Sequence, residues 1–201
     1  MHLITTKIIF ALYFLCKTCY ALNIVVAGGT GSIGRQLSER LTQHNVAILC
    51  RNSFLASTPA RVSTDYGWLG ESFLNNNAHI NLRDWDAGDM LDIVGCDFLG
   101  WQEDVLVGAD VVVNLVGGFT EQRTMAAERL IRESLRLNPK ALQICVSPVD
   151  EEIDIKIKRD RVKKIEDMYK GNCGKYSCIR LEYNKIISSC DVIADAIGTA
   201  E

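Results

Sequence analysis

LNIVVAGGTGSIGRQLSERL, residues Leu22–Leu41, is the stretch on which the reading of this chain turns. Ile24, Val25, Val26 and Ala27 form a short unbroken apolar run, the pattern of a strand buried in a parallel sheet. Turn-forming residues follow at once. Ile33, Leu37 and Leu41 then recur at helical spacing, with Arg35, Gln36, Glu39 and Arg40 on the other faces. Between strand and helix stand Gly28, Gly29, Gly31 and Gly34, which satisfy G-x-x-G-x-x-G from Gly28 and G-x-G-x-x-G from Gly29 together. This spacing answers three physical demands: a tight turn, a backbone bare enough to admit a pyrophosphate, and close packing of helix on strand. The helix N-terminus adds free N–H groups and a partial positive charge. Gly28, Gly29, Thr30, Gly31, Ser32, Ile33 and Gly34 are therefore the candidate phosphate-binding residues of a dinucleotide site.

Outward from this stretch, Asn45–Cys50 (NVAILC) is a second short apolar strand, and Arg51 and Asn52 follow it. An acidic residue at this point would hold the ribose 2′-hydroxyl of NAD. An arginine instead suits the 2′-phosphate of NADP through a charge-assisted bidentate pair, so Arg51 favours NADP(H) over NAD(H). Met90–Cys96 (MLDIVGC) supplies a third sheet strand ending in Asp97 and Phe98, and Val111–Val116 (VVVNLV) a fourth ending in Gly117-Gly118. Ala141–Val146 (ALQICV) closes on Ser147-Pro148 as a fifth strand, and Tyr176–Leu181 (YSCIRL) is a sixth. Thr120 caps a helix over Glu121–Leu137, with Met125, Leu130, Ile131 and Leu135 on its packed face. Glu151–Tyr169 is charged and helical in tendency, and Asp191–Ile197 is a short helix pattern. Strands alternating with helices imply an α/β fold with a doubly wound parallel sheet. Ser53–Asp89 is less legible: His79–Trp85 alternates like an exposed strand, and Asp84, Asp86 and Asp89 match no calcium loop and read as solvated turn residues.

With 201 residues, 48% of them apolar, the chain has material for one α/β domain with a sizeable core. A net charge of −3 and no basic run interleaved with aromatics exclude nucleic acid as the expected partner. His2 and Lys7 precede the apolar run Ile8–Cys16, and Cys19-Tyr20-Ala21 offers small residues before a cleavage point after Ala21. Residues 1–21 thus read as a signal peptide, too short to span a bilayer, leaving 22–201 as the mature domain. The expected route is secretory, to the endoplasmic reticulum or through it to a plastid. If the segment is only an apolar lead-in to the first strand, the location is cytoplasmic. Of the eight cysteines, Cys16 and Cys19 lie in the leader, and Cys50, Cys96 and Cys145 end apolar runs as small core residues. No spacing fits a zinc site, and no metal is expected.

The order of these pieces resembles the short-chain dehydrogenase/reductase superfamily, most closely its extended and atypical, epimerase/dehydratase-like branches. The resemblance covers Asn23 to about Ile197. VVAGGTGSIG resembles the family's glycine loop, and Asp97-Phe98 the pair whose acid contacts the adenine amine. ADVVVNLVGG resembles the fourth-strand segment that closes on the cofactor, which implies roles for Asn114, Val116 and Gly117. Ser147 falls where the family's catalytic serine ends the fifth strand, and Lys163 where the lysine of its Tyr-x-x-x-Lys couple stands.

The tyrosine of that couple is missing. Arg159 occupies its position, and after the fifth strand Tyr169, Tyr176 and Tyr183 are followed four residues later by Cys173, Arg180 and Ile187. Arginine stays protonated and is a poor general base. Two functions follow as expectations. One is an NADP(H)-dependent oxidoreductase or epimerase-like enzyme for a small carbonyl or sugar-like substrate, with Ser147 on the reacting oxygen and Tyr176, Tyr183 or water as substitute acid. The other is a catalytically silent protein that senses or holds NADP(H) and acts through a partner. Few residues follow the sixth strand, so a substrate pocket would be small, borrowed from a partner subunit, or built from Ser53–Asp89 with Trp68 and Trp85.

Overall fold

Strand β1 (Asn23–Ala27) lies inside a six-stranded sheet, paired in parallel with β2 (Asn45–Cys50) on one side and β4 (Val111–Asn114) on the other. With β3 (Ile80–Asp84), β5 (Leu142–Pro148) and β6 (Tyr176–Leu181), the order is β3-β2-β1-β4-β5-β6, and every pairing is parallel. The computed structural model describes residues 20–57, 79–85, 100–182 and 185–200. The helices are α1 (Ser32–Arg40), α2 (Ser53–Ser57), α3 (Trp101–Leu106), α4 (Glu121–Leu137), α5 (Lys156–Asn172) and α6 (Ile186–Gly198). None of them is long and apolar enough to cross a membrane. The α/β, doubly wound sheet expected from the sequence is what the chain forms.

Alternation along each strand fills two cores. Ile24 and Val26 of β1 and Val111 and Val113 of β4 face Leu37 and Leu41 at α1 and Ile193 and Ile197 of α6. Val25, Ala27 and Val112 point the other way, toward Trp85, Trp101, Leu106 and Leu130. Both faces are covered, so residues 24–27 and 111–113 are unbroken apolar runs. The strand order reverses between β1 and β4, because the chain winds outward from β1 in opposite directions. In open parallel sheets the crevice at the carboxyl ends of two such strands is where ligands bind.

Several expectations are corrected. The strand beside β2 is Ile80–Asp84, within the stretch His79–Trp85 that alternates like an exposed strand, and Met90–Cys96, expected as a third sheet strand, lies outside the described residues. β3 is an edge strand and mostly exposed, so polar Asn81, Arg83 and Asp84 suit it. Met125 is 42% exposed, whereas Leu130 and Ile131 are buried as expected, Leu135 is partly buried, and Ala126 and Ala127 complete the packed face of α4. The C-terminal helix begins five residues earlier than the pattern at Asp191, at Ile186. The leader expectation rests on residues 1–19, outside the described ones, as do Cys96, Trp68, Asp97, Phe98 and Tyr183. The described cysteines Cys50, Cys145, Cys173, Cys178 and Cys190 are all free thiols, and all but Cys178 are buried.

Candidate functional site

Three glycines of the loop between β1 and α1 differ in what a side chain would meet there. Gly28 has φ 77°, and a Cβ there would stand 3.1 Å from the Leu115 carbonyl carbon and the Val116 nitrogen, so only glycine lets the loop leave β1 against β4. A Cβ at Gly34 would overlap the Gly29 carbonyl, which means the first turn of α1 rests directly on the loop. Gly31 is different. Its φ is −75°, and a Cβ would meet nothing nearer than the Gly28 oxygen at 4.0 Å. Neither conformation nor packing within the chain demands glycine at this position. Gly31 is also the N-cap of α1, where Ser, Thr, Asp or Asn would add a side-chain bond, and α1 has no acidic residue in its first turn. Among the described residues no side chain caps the N–H groups of that turn, which open at the sheet edge.

Two connected chambers open along this edge. The larger, about 510 Å³, is lined by Thr30, Leu49, Cys50, Arg51, Trp85, Thr120, Gln122 and Ala126. The smaller, about 180 Å³, is lined by Ser32, Ile33, Gly34, Gly117, Phe119, Val146, Ser147, Pro148 and Leu181. They share Gly28, Gly31, Leu115, Val116 and Arg123. The larger chamber falls in the range of roughly 300–1,000 Å³ usual for small-molecule sites.

Most of the sequence-derived loop residues therefore meet at one cleft: Gly28, Thr30, Gly31, Ser32, Ile33 and Gly34 line it with Arg51, Val116, Gly117 and Ser147. Gly29 turns inward, where a Cβ would press on Val26 and Ile48 at 3.0 Å. Asn114 is buried and lines neither chamber; its Oδ1 accepts the Val116 N–H at 3.0 Å and fixes the turn that follows β4. Trp85, expected as spare substrate-pocket material, is a core residue 4% exposed, edge-on to Trp101 with centroids 5.6 Å apart, and one side of it walls the larger chamber. Asp84 is not merely solvated: its carboxylate accepts the Ser53 N–H at 2.6 Å and the Ser53 hydroxyl at 3.0 Å, anchoring α2 just beyond Arg51.

At the far end, Ser147 is buried and its hydroxyl donates to Glu166 Oε1 at 2.5 Å. Arg180 donates to both oxygens of Glu166, at 3.0 and 2.9 Å, and to Asp150 at 2.7 Å. Burial pushes the Glu166 carboxyl up, but Arg180 and Ser147 outweigh it and hold it below the ordinary carboxylate range. Glu166 and Asp150 in turn raise Arg180. The reading of Lys163 as a pocket residue is corrected. The inward face of α5 is Val162, Ile165, Glu166 and Tyr169, while Lys163 is exposed beside Asp160, Lys164, Asp167 and Met168, none of which lines the cleft. Tyr176 is displaced too: it pairs with Gln143 at the start of β6, and so lies at the amino edge of the sheet, opposite the cleft. Tyr169 is fully buried among Cys145, Cys173 and Cys178, and its hydroxyl makes no well-aligned hydrogen bond. Burial and these neighbouring thiols raise it well above the usual tyrosine value, against a smaller opposing effect of Asn114.

The cleft residues that sequence spacing missed are Trp85, Phe119, Arg123 and, behind Ser147, Glu166. Thr120 was legible as a cap, and its hydroxyl accepts the Arg123 N–H at 3.3 Å, so the start of α4 was the available signal for Arg123. Phe119 is braced from α5, with Lys158 Nζ 5.8 Å from its ring centre and Arg161 donating to its carbonyl at 3.4 Å.

Comparison with solved structures identifies the fold. Bordetella bronchiseptica WbmH in complex with NAD⁺ superposes with a TM-score of 0.59 at 9% identity, over 89% of this chain and 73% of that one. Escherichia coli serine dehydrogenase gives a TM-score of 0.54 at 11% identity, over 87% and 90%. The fold is a Rossmann fold. This Rossmann chain is also similar to the negative transcriptional regulator NmrA in complex with NADP, with a TM-score of 0.51 at 11% identity, over 80% of this chain and 45% of the regulator. No protein-family model and no curated protein sequence matches it.

Proposed function

We propose that this Rossmann chain binds a nicotinamide dinucleotide across the carboxyl edge of its sheet, NADP(H) in preference to NAD(H), for oxidoreductase-type chemistry on a small carbonyl or sugar-like compound. The observation that carries the binding is Gly31. A residue that the chain's own packing leaves free to bear a side chain is bare where α1 presents its N–H groups, which suits a diphosphate lying against the loop. Ser32, Ile33 and Gly34 would offer main-chain donors to it, and Val116 and Gly117 would flank it from β4. Arg51, exposed at the mouth of the larger chamber, supports the 2′-phosphate preference, and Trp85 would give that chamber its apolar wall. The bound dinucleotide supplies hydride chemistry, and the chain supplies orientation and electrostatics. The smaller chamber is mainly apolar beside Ser147, which suits a compact substrate.

A second reading is a protein that holds the dinucleotide without turning it over, as a sensor. It is favoured by one observation: the Ser147 proton points to Glu166 rather than into the cleft. The test common to both is a titration of purified chain with NADPH and NADH, followed by melting. A ligand at about a hundred times its Kd adds roughly 2.7 kcal/mol of stability. Binding of NADPH tighter than NADH, with the preference lost in Arg51→Gln, is the expected result. Equal affinities overturn the Arg51 assignment, and no binding overturns the reading. NADPH consumption with small carbonyl compounds then separates catalyst from sensor.

A further inference from the structure

Resting on the dinucleotide reading above, we infer that Arg123 is the side-chain counter-charge of the bound diphosphate, facing the glycine loop from across the cleft. The two chambers overlap at only five residues: Gly28 and Gly31 of the loop, Leu115 and Val116 at the end of β4, and Arg123. A ligand occupying both chambers must pass this junction. In a dinucleotide the group that joins the two halves is the diphosphate. Among the residues at the junction, Arg123 is the one with a charged side chain.

The charge at the junction is otherwise incomplete. A diphosphate brings two negative charges, while a helix N-terminus offers about half a positive one. α1 carries no acidic residue in its first turn to oppose an anion, and its bare N-cap supplies no cation. Arg51 lines only the larger chamber, away from the overlap. Three arginines elsewhere are committed to carboxylates: Arg40 to Asp191, Arg136 to Glu133 and Glu103, Arg180 to Glu166 and Asp150. The Arg123 guanidinium makes no such bond among the described residues, while its backbone N–H donates to Thr120 Oγ1 and fixes the Cα from which the side chain reaches. An exposed arginine on the rim of a cleft, unpaired and with its backbone anchored, is suited to forked recognition of phosphate oxygens.

The diphosphate is common to NADH, NADPH and ADP-ribose, and this makes the inference separable from its alternatives. Affinities of wild type, Arg123→Gln and Arg123→Lys are measured for all three ligands by melting and by isothermal titration at two salt concentrations. A lost charge-assisted contact corresponds to about tenfold or more in Kd. The expected result is one and the same loss for all three ligands in Arg123→Gln, a shallower salt dependence, partial recovery in Arg123→Lys, and an unliganded melting temperature equal to wild type. Undiminished affinity in Arg123→Gln overturns the inference and leaves the dinucleotide reading standing. Loss confined to NADPH also overturns it, because the contact is then to the 2′-phosphate. If wild type binds none of the three, the reading and the inference fail together. Should Arg123→Gln not fold, Arg123→Lys alone decides, by a weakened or an unchanged affinity for ADP-ribose.

Discussion

Ser147 donates its hydroxyl hydrogen to Glu166 at 2.5 Å, so the serine at the end of β5 is tied to a buried carboxylate that Arg180 also grips. Removing Arg180 leaves that carboxylate without its main partner. Arg180→Ala should cost about 3 kcal/mol at neutral pH, the low end for breaking a buried pair because Arg180 is itself part-exposed. The sign of the pH dependence follows from the depressed Glu166. Its contribution is complete above the ordinary carboxylate range and is lost as pH falls through its lowered value. The gap between wild type and Arg180→Ala should therefore narrow from pH 7 toward pH 3 in denaturant unfolding. A gap of constant size contradicts the account.

Gly34 and Gly31 should respond oppositely to alanine. At Gly34 the new Cβ overlaps backbone that cannot yield cheaply, so Gly34→Ala should lose roughly 3 kcal/mol or more. At Gly31 the space is open and φ is ordinary, so Gly31→Ala should stay within about 0.5 kcal/mol of wild type. Equal losses in chemical denaturation would remove the distinction on which the reading of Gly31 rests.

Lys163→Ala should change neither stability, beyond about 0.5 kcal/mol, nor dinucleotide affinity, because the side chain stands on the outer face of α5. A tenfold loss of NADPH affinity would put Lys163 back in the cleft.

Trp85→Ala should destabilise by about 3–5 kcal/mol through the cavity left beside Trp101, whose ring meets Trp85 at 85°. Trp85→Phe, which keeps an aromatic ring, should lose less. Thermal unfolding of the two variants checks the order.

Much of this fold was legible because its signals are local. β1, β2, β4, β5 and β6 are apolar runs, and the limits of α4, Glu121 to Leu137, follow from Thr120 before it and Pro139 after it. β3 was legible only as an exposed alternation over His79–Trp85, and its place beside β2 was not, because an edge strand exposed on most of its length carries little apolar signal. The glycine loop was legible for the same local reason. Its far wall was not: Glu166 is stabilised by Arg180, fourteen residues on and in another element, and spacing along the chain carries no sign of that pairing. Lys163 was misread because counting from a missing tyrosine gives a position on the chain but not a face of the helix. Trp85 looked like spare material because its partner Trp101 reaches it only through packing.

The central claim is that bare main chain at Gly31 receives a diphosphate, and Gly31→Asp tests it most directly. Aspartate is a favoured N-cap, and the position has room for it, so the variant should be at least as stable as wild type. Its carboxylate would stand where the phosphates bind. Isothermal titration with NADPH should give saturable binding to wild type and at least a hundredfold weaker binding to folded Gly31→Asp. Equal affinity in the two proteins, or no binding to folded wild type, would contradict the account.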